Sequence, residues 1–329
     1  MSASVVAMIL GAALVAVIGY IAVKYVRIIL NIFLGVLTVS PPRPHKLGGE
    51  PVTFRSLDGL LLYGVFLAAR GRARGTVVFC HEFGADGASV ADFALFLRDR
   101  FNLFTFDFRG HGRSAHARHH RPCQWPSTRE VDDVLGAVAY VAGRSDAGAL
   151  PVGLFGVSRG GSAALCAGAR CAAVRAVVAD SACSTRLIMQ AYMRRWVGIY
   201  SNLEVIYRNL PDAVYTAVRV LAMLVAQVRL RCLFPSVLRA IARIGPRPVF
   251  LIHGERDVYI DQSQAEALFN RAREPKRLWI VPGARHNRSV VHAAEAYRAR
   301  VTEFFAAALT PPAGREPVAE GHPVPLPEA

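Results

Sequence analysis

The chain has 329 residues, of which 53% are hydrophobic, and this is enough for one large α/β domain with accessory segments. Its net charge of +15 indicates an anionic partner. The basic residues are almost all dispersed Arg, without zinc-finger spacing or an aromatic-basic RNA-binding signature. A membrane surface is therefore favoured, and a nucleic-acid partner is not expected.

An apolar segment free of charge, Val5 to Val23, opens the chain and is long enough to cross a bilayer as a helix. A second apolar run, 28–39, follows Lys24 and Arg27 and either extends this helix or lies in the membrane interface. A cleaved signal peptide is the alternative, but such peptides usually carry basic residues before the apolar run, and none is found here. We expect residues 1–46 to be an uncleaved single-pass anchor with its linker. Because the nearby basic residues follow the segment, the rest of the chain is expected in the cytoplasm.

Strand and helix patterns alternate in the next part of the chain. Residues 52–68 have the pattern of two strands around a turn at 56–59. Further strands are predicted at 76–80, 102–106, 152–155, 174–179, 248–253 and 276–281, and helices at 88–100, 128–142, 262–273 and 290–308. This alternation predicts a mostly parallel sheet covered by helices on both faces. Residues 184–246 look wholly helical, and the Pro-rich, charged residues 310–329 predict a disordered tail.

A strand, a tight turn and a helix follow one another in residues 152–168, and the turn is Gly-Val-Ser-Arg-Gly at 156–160. A Gly-x-Ser-x-Gly turn in this context is typical of a nucleophile elbow. The two Gly residues lack side chains that would collide where strand and helix approach each other. The start of the helix directs free N–H groups towards the place where an oxyanion forms. The alternative is a Gly-rich turn in which Ser158 has no chemical role.

Three other polar features come at the ends of predicted strands, where such sheets bind ligands. They are the loop 81–84 (His-Glu-Phe-Gly), Asp257 and His286. The chain order Ser, Asp, His is the order expected for a serine hydrolase built on this type of sheet. Asp180, at the end of strand 174–179, is the second candidate for the acid.

From about residue 52 to 308 the chain resembles the α/β-hydrolase superfamily, close to its acylglycerol-lipase and serine-aminopeptidase-like branch. The resemblance rests on the loop 81–84, Asp-Phe-Arg-Gly-His-Gly-Arg-Ser at 107–114, the elbow 156–160, His-Gly-Glu-Arg-Asp at 253–257 and Gly-Ala-Arg-His at 283–286. It implies an α/β-hydrolase domain over residues 47–309, with a helical cap inserted at 184–246.

The resemblance implies that Ser158 is the nucleophile, His286 its base and Asp257 the carboxylate that orients the imidazole. A serine hydroxyl is almost never ionised at neutral pH, so it needs an adjacent base. The backbone N–H groups of Phe83 and Arg159 are the implied oxyanion hole. No metal or organic cofactor is required for this chemistry.

Glu82 departs from the family pattern, in which Gly usually follows the His of this loop. If its side chain points into the site, the carboxylate opposes the developing oxyanion. If it points away and pairs with an Arg, it stabilises the loop. We favour the second alternative, because an unpaired buried carboxylate is costly and Arg is abundant in this chain.

Two other features have a functional and a purely structural interpretation. The predicted cap has nine Arg residues against two acidic ones, which is typical of a lid that shapes an apolar acyl pocket and touches anionic lipid. Its apolar faces alternatively pack on the sheet and its Arg side chains are solvated. The histidines at 111, 116, 119 and 120 lie in an Arg-rich loop without carboxylates at ligand spacing, so no metal site is expected.

Together these features predict a membrane-anchored serine hydrolase that cleaves esters of lipid-like or small acyl substrates. An amidase or peptidase with the same catalytic residues is one alternative. A catalytically weak binding or scaffold protein of the same fold is another. Ser158, Asp257 and His286 argue against the scaffold, and Glu82 is the feature that favours it.

Overall fold

The computed structural model describes residues 2–35, 47–116, 122–200 and 211–309. The predicted Pro-rich linker at 41–44, the histidines at 119 and 120, and the predicted tail at 310–329 lie outside the described residues. The domain boundaries expected at 46/47 and 309/310 therefore remain predictions.

A mixed sheet of eight strands forms the centre of the fold. The strands are β1 (Glu50–Arg55), β2 (Leu61–Leu67), β3 (Thr76–Cys80), β4 (Asn102–Phe106), β5 (Val152–Val157), β6 (Val174–Asp180), β7 (Val249–Gly254) and β8 (Lys276–Val281). Their order across the sheet is β1-β2-β4-β3-β5-β6-β7-β8. β1, β2 and β4 pair antiparallel, and the other neighbours pair parallel. The apolar runs of β3, β4 and β5 are buried along their whole length, as expected for strands covered on both faces. The predicted α/β-hydrolase fold is confirmed.

Helices pack on both sides of the sheet and make two hydrophobic layers with it. The helices of the described residues as a whole, in both compact units of the chain, are α1 (Ala3–Phe33), α2 (Val90–Phe93), α3 (Thr128–Ala142), α4 (Arg159–Arg170), α5 (Thr185–Tyr200), α6 (Asp212–Leu230), α7 (Val237–Ile241), α8 (Gln262–Arg271), α9 (Ser289–His292) and α10 (Ala294–Ala308). The start of α3 is fixed by a capping box between Ser127 and Glu130. The second apolar run near the N-terminus extends α1 to Phe33.

Two predicted helices are interrupted. The predicted helix 88–100 consists of two 3₁₀ turns, Gly87–Ser89 and Leu95–Asp99, around the single turn of α2. Ala94, with φ of −139°, leaves the helical conformation between them. The predicted helix 290–308 is divided in the same way at Ala293, whose φ is −129°. The apolar spacing identifies the buried face in both cases but does not detect one residue that leaves the helical region.

The chain divides into two compact units. The first contains Met1–Val36 and Arg186–Arg231, and the second contains Leu37–Thr185 and Cys232–Ala329. In the first unit, α1 and α6 are each long and apolar enough to cross a membrane, by length and composition. In the second unit, α7 packs against α4. The proposed cap, 184–246, therefore contains segments from both units.

Candidate active site

Ser158 lies between β5 and α4 in a strained conformation, with φ of 52° and ψ of −117°. A non-glycine residue in this region costs about 1–3 kcal/mol, so the surrounding structure must enforce it. A side chain at Gly156 would place Cβ 2.4 Å from the Gly160 carbonyl oxygen, and one at Gly160 would place it 2.2 Å from that of Cys80. Only Gly fits at both positions. The Ser158 N–H donates to the Asp180 carbonyl at 2.8 Å and fixes the turn on β6.

A chain of hydrogen bonds runs from Ser158 to Asp257. The Ser158 Oγ lies 3.1 Å from His286 Nε2, and His286 Nδ1 lies 2.6 Å from Asp257 Oδ2. Because the Asp257 carboxylate can only accept a hydrogen bond, Nδ1 carries the proton and donates it, and Nε2 is left as the acceptor for the serine hydroxyl. Asp257 and His286 come from the loops after β7 and β8, and the parallel sheet brings His286 to Ser158, which lies 128 positions earlier in the chain.

The second oxygen of Asp257 is held by the backbone. Its Oδ1 accepts the N–H groups of Tyr259 and Ile260, each at 2.9 Å. His253 lies close by, but its Nε2 donates to the Ile260 carbonyl at 2.8 Å. Burial lowers the pKa of His253, so this imidazole is neutral and does not compete as a cation for Asp257. Oδ2 is therefore oriented towards His286.

The two amides proposed for the oxyanion hole belong to segments that touch. Arg159 is the first residue of α4, and its N–H has no acceptor within the helix. The next residue, Gly160, lies directly against the carbonyls of Cys80 and His81, at the start of the loop that carries Phe83. His81 fixes this loop because its Nδ1 donates to the Glu82 carbonyl at 2.6 Å and its Nε2 accepts the Phe108 N–H at 3.0 Å.

Comparison with known proteins identifies the fold family. A model of the Alpha/beta hydrolase family matches residues 77–301. The chain belongs to this family. It is 29% identical over 276 residues to "Uncharacterized protein YfhR" of Escherichia coli strain K12. The aligned residues cover 82% of this chain and 84% of that protein.

Solved structures have the same fold. The esterase Pf2001 of Pyrococcus furiosus matches with a TM-score of 0.60 and 22% identity, over 84% of this chain and 99% of that one. The alpha/beta hydrolase GrgF from Penicillium sp. sh18 matches with a TM-score of 0.61 and 19% identity. This match covers 79% of this chain and 98% of that one. At these identities the likeness shows the hydrolase fold alone.

Asp180, the second candidate acid, has other partners in this hydrolase fold. Its carboxylate accepts the Tyr297 hydroxyl at 2.8 Å and the Ser181 hydroxyl at 2.9 Å. Asp180 is fully buried, and burial raises its pKa to about 6 although the two hydrogen bonds lower it. The bond to Tyr297 gives no signal in the sequence, since these residues are 117 positions apart. Of the two candidate acids, Asp257 is the one bonded to His286.

The side chain of Arg159 is also fully buried, next to the proposed oxyanion hole. Its guanidinium carbon lies 5.1 Å from the centre of the Phe83 ring and 5.0 Å from that of Phe108, and its Nη1 donates to the Cys123 carbonyl at 3.1 Å. Stacking with Phe83 links the residues that carry the two proposed amides. Burial lowers the pKa of Arg159, and the negative charge of Glu130 opposes this.

His111 belongs to the same buried environment. Burial and the nearby Arg159 lower the pKa of His111 to about 3, so its imidazole is neutral. Its Nδ1 donates to the Arg109 carbonyl at 3.0 Å. Among the described residues, no group of His, Cys, Asp and Glu is arranged to hold a metal ion.

Glu82 is held by a side chain other than those of Ser158, His286 and Asp257. Its Oε2 accepts the hydroxyl of Ser89, a buried residue, at 3.1 Å. This bond ties the loop to the 3₁₀ turn before α2. The expected partner was an Arg, and the negative charge of Glu82 does act on Arg159, whose pKa it raises slightly against the effect of burial. The bond to Ser89 supports the interpretation that Glu82 stabilises the loop.

Replacing Glu82 tests this interpretation. Glu82→Gly is expected to lower both ester turnover and the free energy of unfolding, the latter by about 1 kcal/mol, because Ser89 loses its acceptor. Glu82→Gln retains an acceptor oxygen. It is therefore expected to keep most of the ester turnover and most of the free energy of unfolding, which makes it the matched control. Urea unfolding and kcat/KM on one ester measure the two effects. An increase in turnover for Glu82→Gly would instead mean that the carboxylate opposes the oxyanion.

Proposed function

We propose that this chain is a membrane-anchored serine hydrolase that cleaves carboxylic esters of lipid-like or small acyl substrates through an acyl-enzyme on Ser158. The observation that supports it best is the unbroken hydrogen-bond chain from Ser158 through His286 to Asp257, at 3.1 and 2.6 Å. These distances are within the range in which a base removes a proton from a nucleophile.

The first half of the proposed reaction forms the acyl-enzyme. Ser158 Oγ attacks the ester carbonyl while its proton passes to His286 Nε2, and Asp257 stabilises the imidazolium that results. The Phe83 and Arg159 amides donate to the carbonyl oxygen as it becomes negative. The tetrahedral intermediate then expels the alcohol, which takes the proton from Nε2, and the acyl group stays on Ser158.

The second half regenerates the enzyme with water. Water gives a proton to His286 Nε2 as its oxygen attacks the acyl carbonyl, and the same two amides stabilise the second oxyanion. Ser158 leaves and recovers the proton from His286, and the product is the carboxylic acid. Every proton transfer uses a group of the chain or water.

Membrane attachment is proposed from α1. It is long enough to span a bilayer, and the most apolar 18-residue stretch of its span, Ala3–Asn31, has no buried residue. A signal sequence near the N-terminus meets the same criteria of length and composition, and it is the alternative to the proposed anchor. Lys24 and Arg27 near the end of α1 support the cytoplasmic orientation of the hydrolase fold.

A fluorophosphonate probe and a substrate panel test the proposed activity. We expect the full-length protein to be labelled covalently, and to hydrolyse p-nitrophenyl esters faster than aminoacyl anilides of matched acyl groups. Faster turnover of anilides would favour the amidase or peptidase. A protein that is neither labelled nor active would support the scaffold, for which Glu82 is the motivating feature.

A further inference from the structure

The helix α6 is apolar on both of its faces. One stripe, spaced by three and four residues along the helix, is buried: Tyr215, Arg219, Ala222, Ala226 and Leu230. α6 packs against α1 in the same compact unit. α5 holds its N-terminal end, where Arg194 forms an ion pair with Asp212 and lies over the Tyr215 ring at 5.6 Å. The inner face of α6 is therefore occupied by its own unit.

The opposite face of α6 is exposed and also apolar. It carries Val214, Val220, Leu221, Leu224 and Val228, the last of which is 78% exposed. These side chains extend along roughly 21 Å of helix at about 1.5 Å per residue. A soluble helix normally has charged or polar residues on this side.

The charges of α6 are placed so that this outer face stays free of them. Between Asp212 and Arg229, near the two ends, the one charged residue is Arg219. Arg219 lies in the inner stripe and is only 5% exposed. A helix that is apolar on all sides belongs in a protein core or in lipid, and the outer face of α6 is not in the core of its unit.

The neighbouring helix indicates which environment covers this face. α1 is itself exposed, apolar and long enough to span a bilayer, so α6 adds its outer face to a surface that already fits lipid. The cations at the ends of these segments, Lys24 and Arg27 on α1 and Arg229 and Arg231 after the apolar face of α6, suit anionic headgroups.

We infer that α6 is a second membrane-contacting helix, and that its outer face, Val214 to Val228, lies among lipid acyl chains beside α1. This inference rests on the membrane anchoring in the proposed function and extends it to the inserted segment. The inserted segment is then held at the membrane together with α1.

Photolabelling from within the bilayer tests the inference on the full-length protein. The protein is reconstituted in phosphatidylcholine–phosphatidylglycerol vesicles that contain a phosphatidylcholine with a diazirine on its acyl chain. After irradiation, lipid adducts are mapped on tryptic peptides by mass spectrometry. We expect adducts on α1 and on peptide 220–229, and none on peptide 56–70, an internal control in the other unit that carries the exposed residue Leu61.

The possible outcomes separate the inference from the proposals on which it rests. Adducts on α1 without adducts on 220–229 would overturn the inference and leave the anchor intact. Adducts on neither would reject the anchor and the inference together, while ester turnover in the same vesicles reports on the hydrolase independently. A second copy of the chain covering this face would also leave 220–229 unlabelled.

A double variant sharpens the assignment of the face. Leu221→Gln with Leu224→Gln is expected to lower the adduct yield on 220–229 severalfold while α1 is labelled as before. The matched control, Leu61→Gln with Val291→Gln, changes two exposed apolar residues of the other unit and is expected to leave both yields unchanged. An unchanged yield in the α6 variant would contradict contact through this face.

Discussion

Ser158→Ala is expected to abolish fluorophosphonate labelling and to lower ester kcat by about six orders of magnitude, the scale known for the loss of a catalytic serine. Alanine keeps the turn but removes the Oγ atom that lies 3.1 Å from His286 Nε2. Residual hydrolysis would then depend on substrate binding and on the proposed oxyanion amides alone. Labelling followed by peptide mapping, with steady-state kinetics on one p-nitrophenyl ester, measures both effects.

Ser162 offers a matched control one turn later in α4. Its hydroxyl accepts the Cys183 N–H and donates to the Cys183 carbonyl, each at 3.0 Å, so it fastens the helix to the loop after β6. Ser162→Ala is expected to cost about 1–3 kcal/mol of unfolding free energy and to keep covalent labelling. If Ser158→Ala remained fully labelled, or Ser162→Ala lost labelling while still folded, Ser158 would not be the nucleophile.

The elbow and its partners were predictable because their sequence signals are local. Gly156 and Gly160 are required by backbone atoms only 2.2–2.4 Å from where their side chains would begin. Asp257 and His286 each follow a strand of the sheet, and parallel strands bring such residues to one edge of the sheet. The positions of Ser158, Asp257 and His286 relative to the predicted strands are therefore enough to predict that these three side chains lie close together.

Contacts between distant side chains were not predictable in this way. The bond from Tyr297 to Asp180 joins a residue in the first turn of α10 to the end of β6, and neither residue type indicates the other. The contact of α6 with α1 depends on tertiary packing between segments about 180 residues apart in the chain. The break at Ala94 was missed because one change of φ leaves the apolar spacing almost unaltered.

Asp257→Asn is expected to lower kcat by about four orders of magnitude, the scale known for loss of the acid in a triad. The Tyr259 and Ile260 amides need an oxygen acceptor, so the Asn carbonyl would take the position of Oδ1 and its NH₂ would face His286. Nδ1 would then have to accept, and the proton would move to Nε2. In that tautomer Nε2 cannot receive the Ser158 proton.

Asp180→Asn is the comparison for Asp257→Asn, and it is expected to lower kcat far less because Asp180 is bonded to Tyr297 and Ser181. Its effect is instead expected in the pH dependence of stability. The pKa of Asp180 is raised from 3.8 to about 6 by burial, so the folded state holds this proton more tightly than the unfolded state. The stability linked to this group is fully present below about pH 4 and is lost as the pH rises through about 6.

Chemical denaturation across this range distinguishes the two roles. Relative to Asp180→Asn, which does not titrate, the wild-type free energy of unfolding is expected to fall between about pH 4 and pH 6. Asp257→Asn is expected to change turnover at every pH at which the wild type is active. The reverse ranking, with Asp180→Asn losing four orders of magnitude and Asp257→Asn little, would move the acid to β6. It would also require His286 to leave the 2.6 Å contact with Asp257 during the reaction.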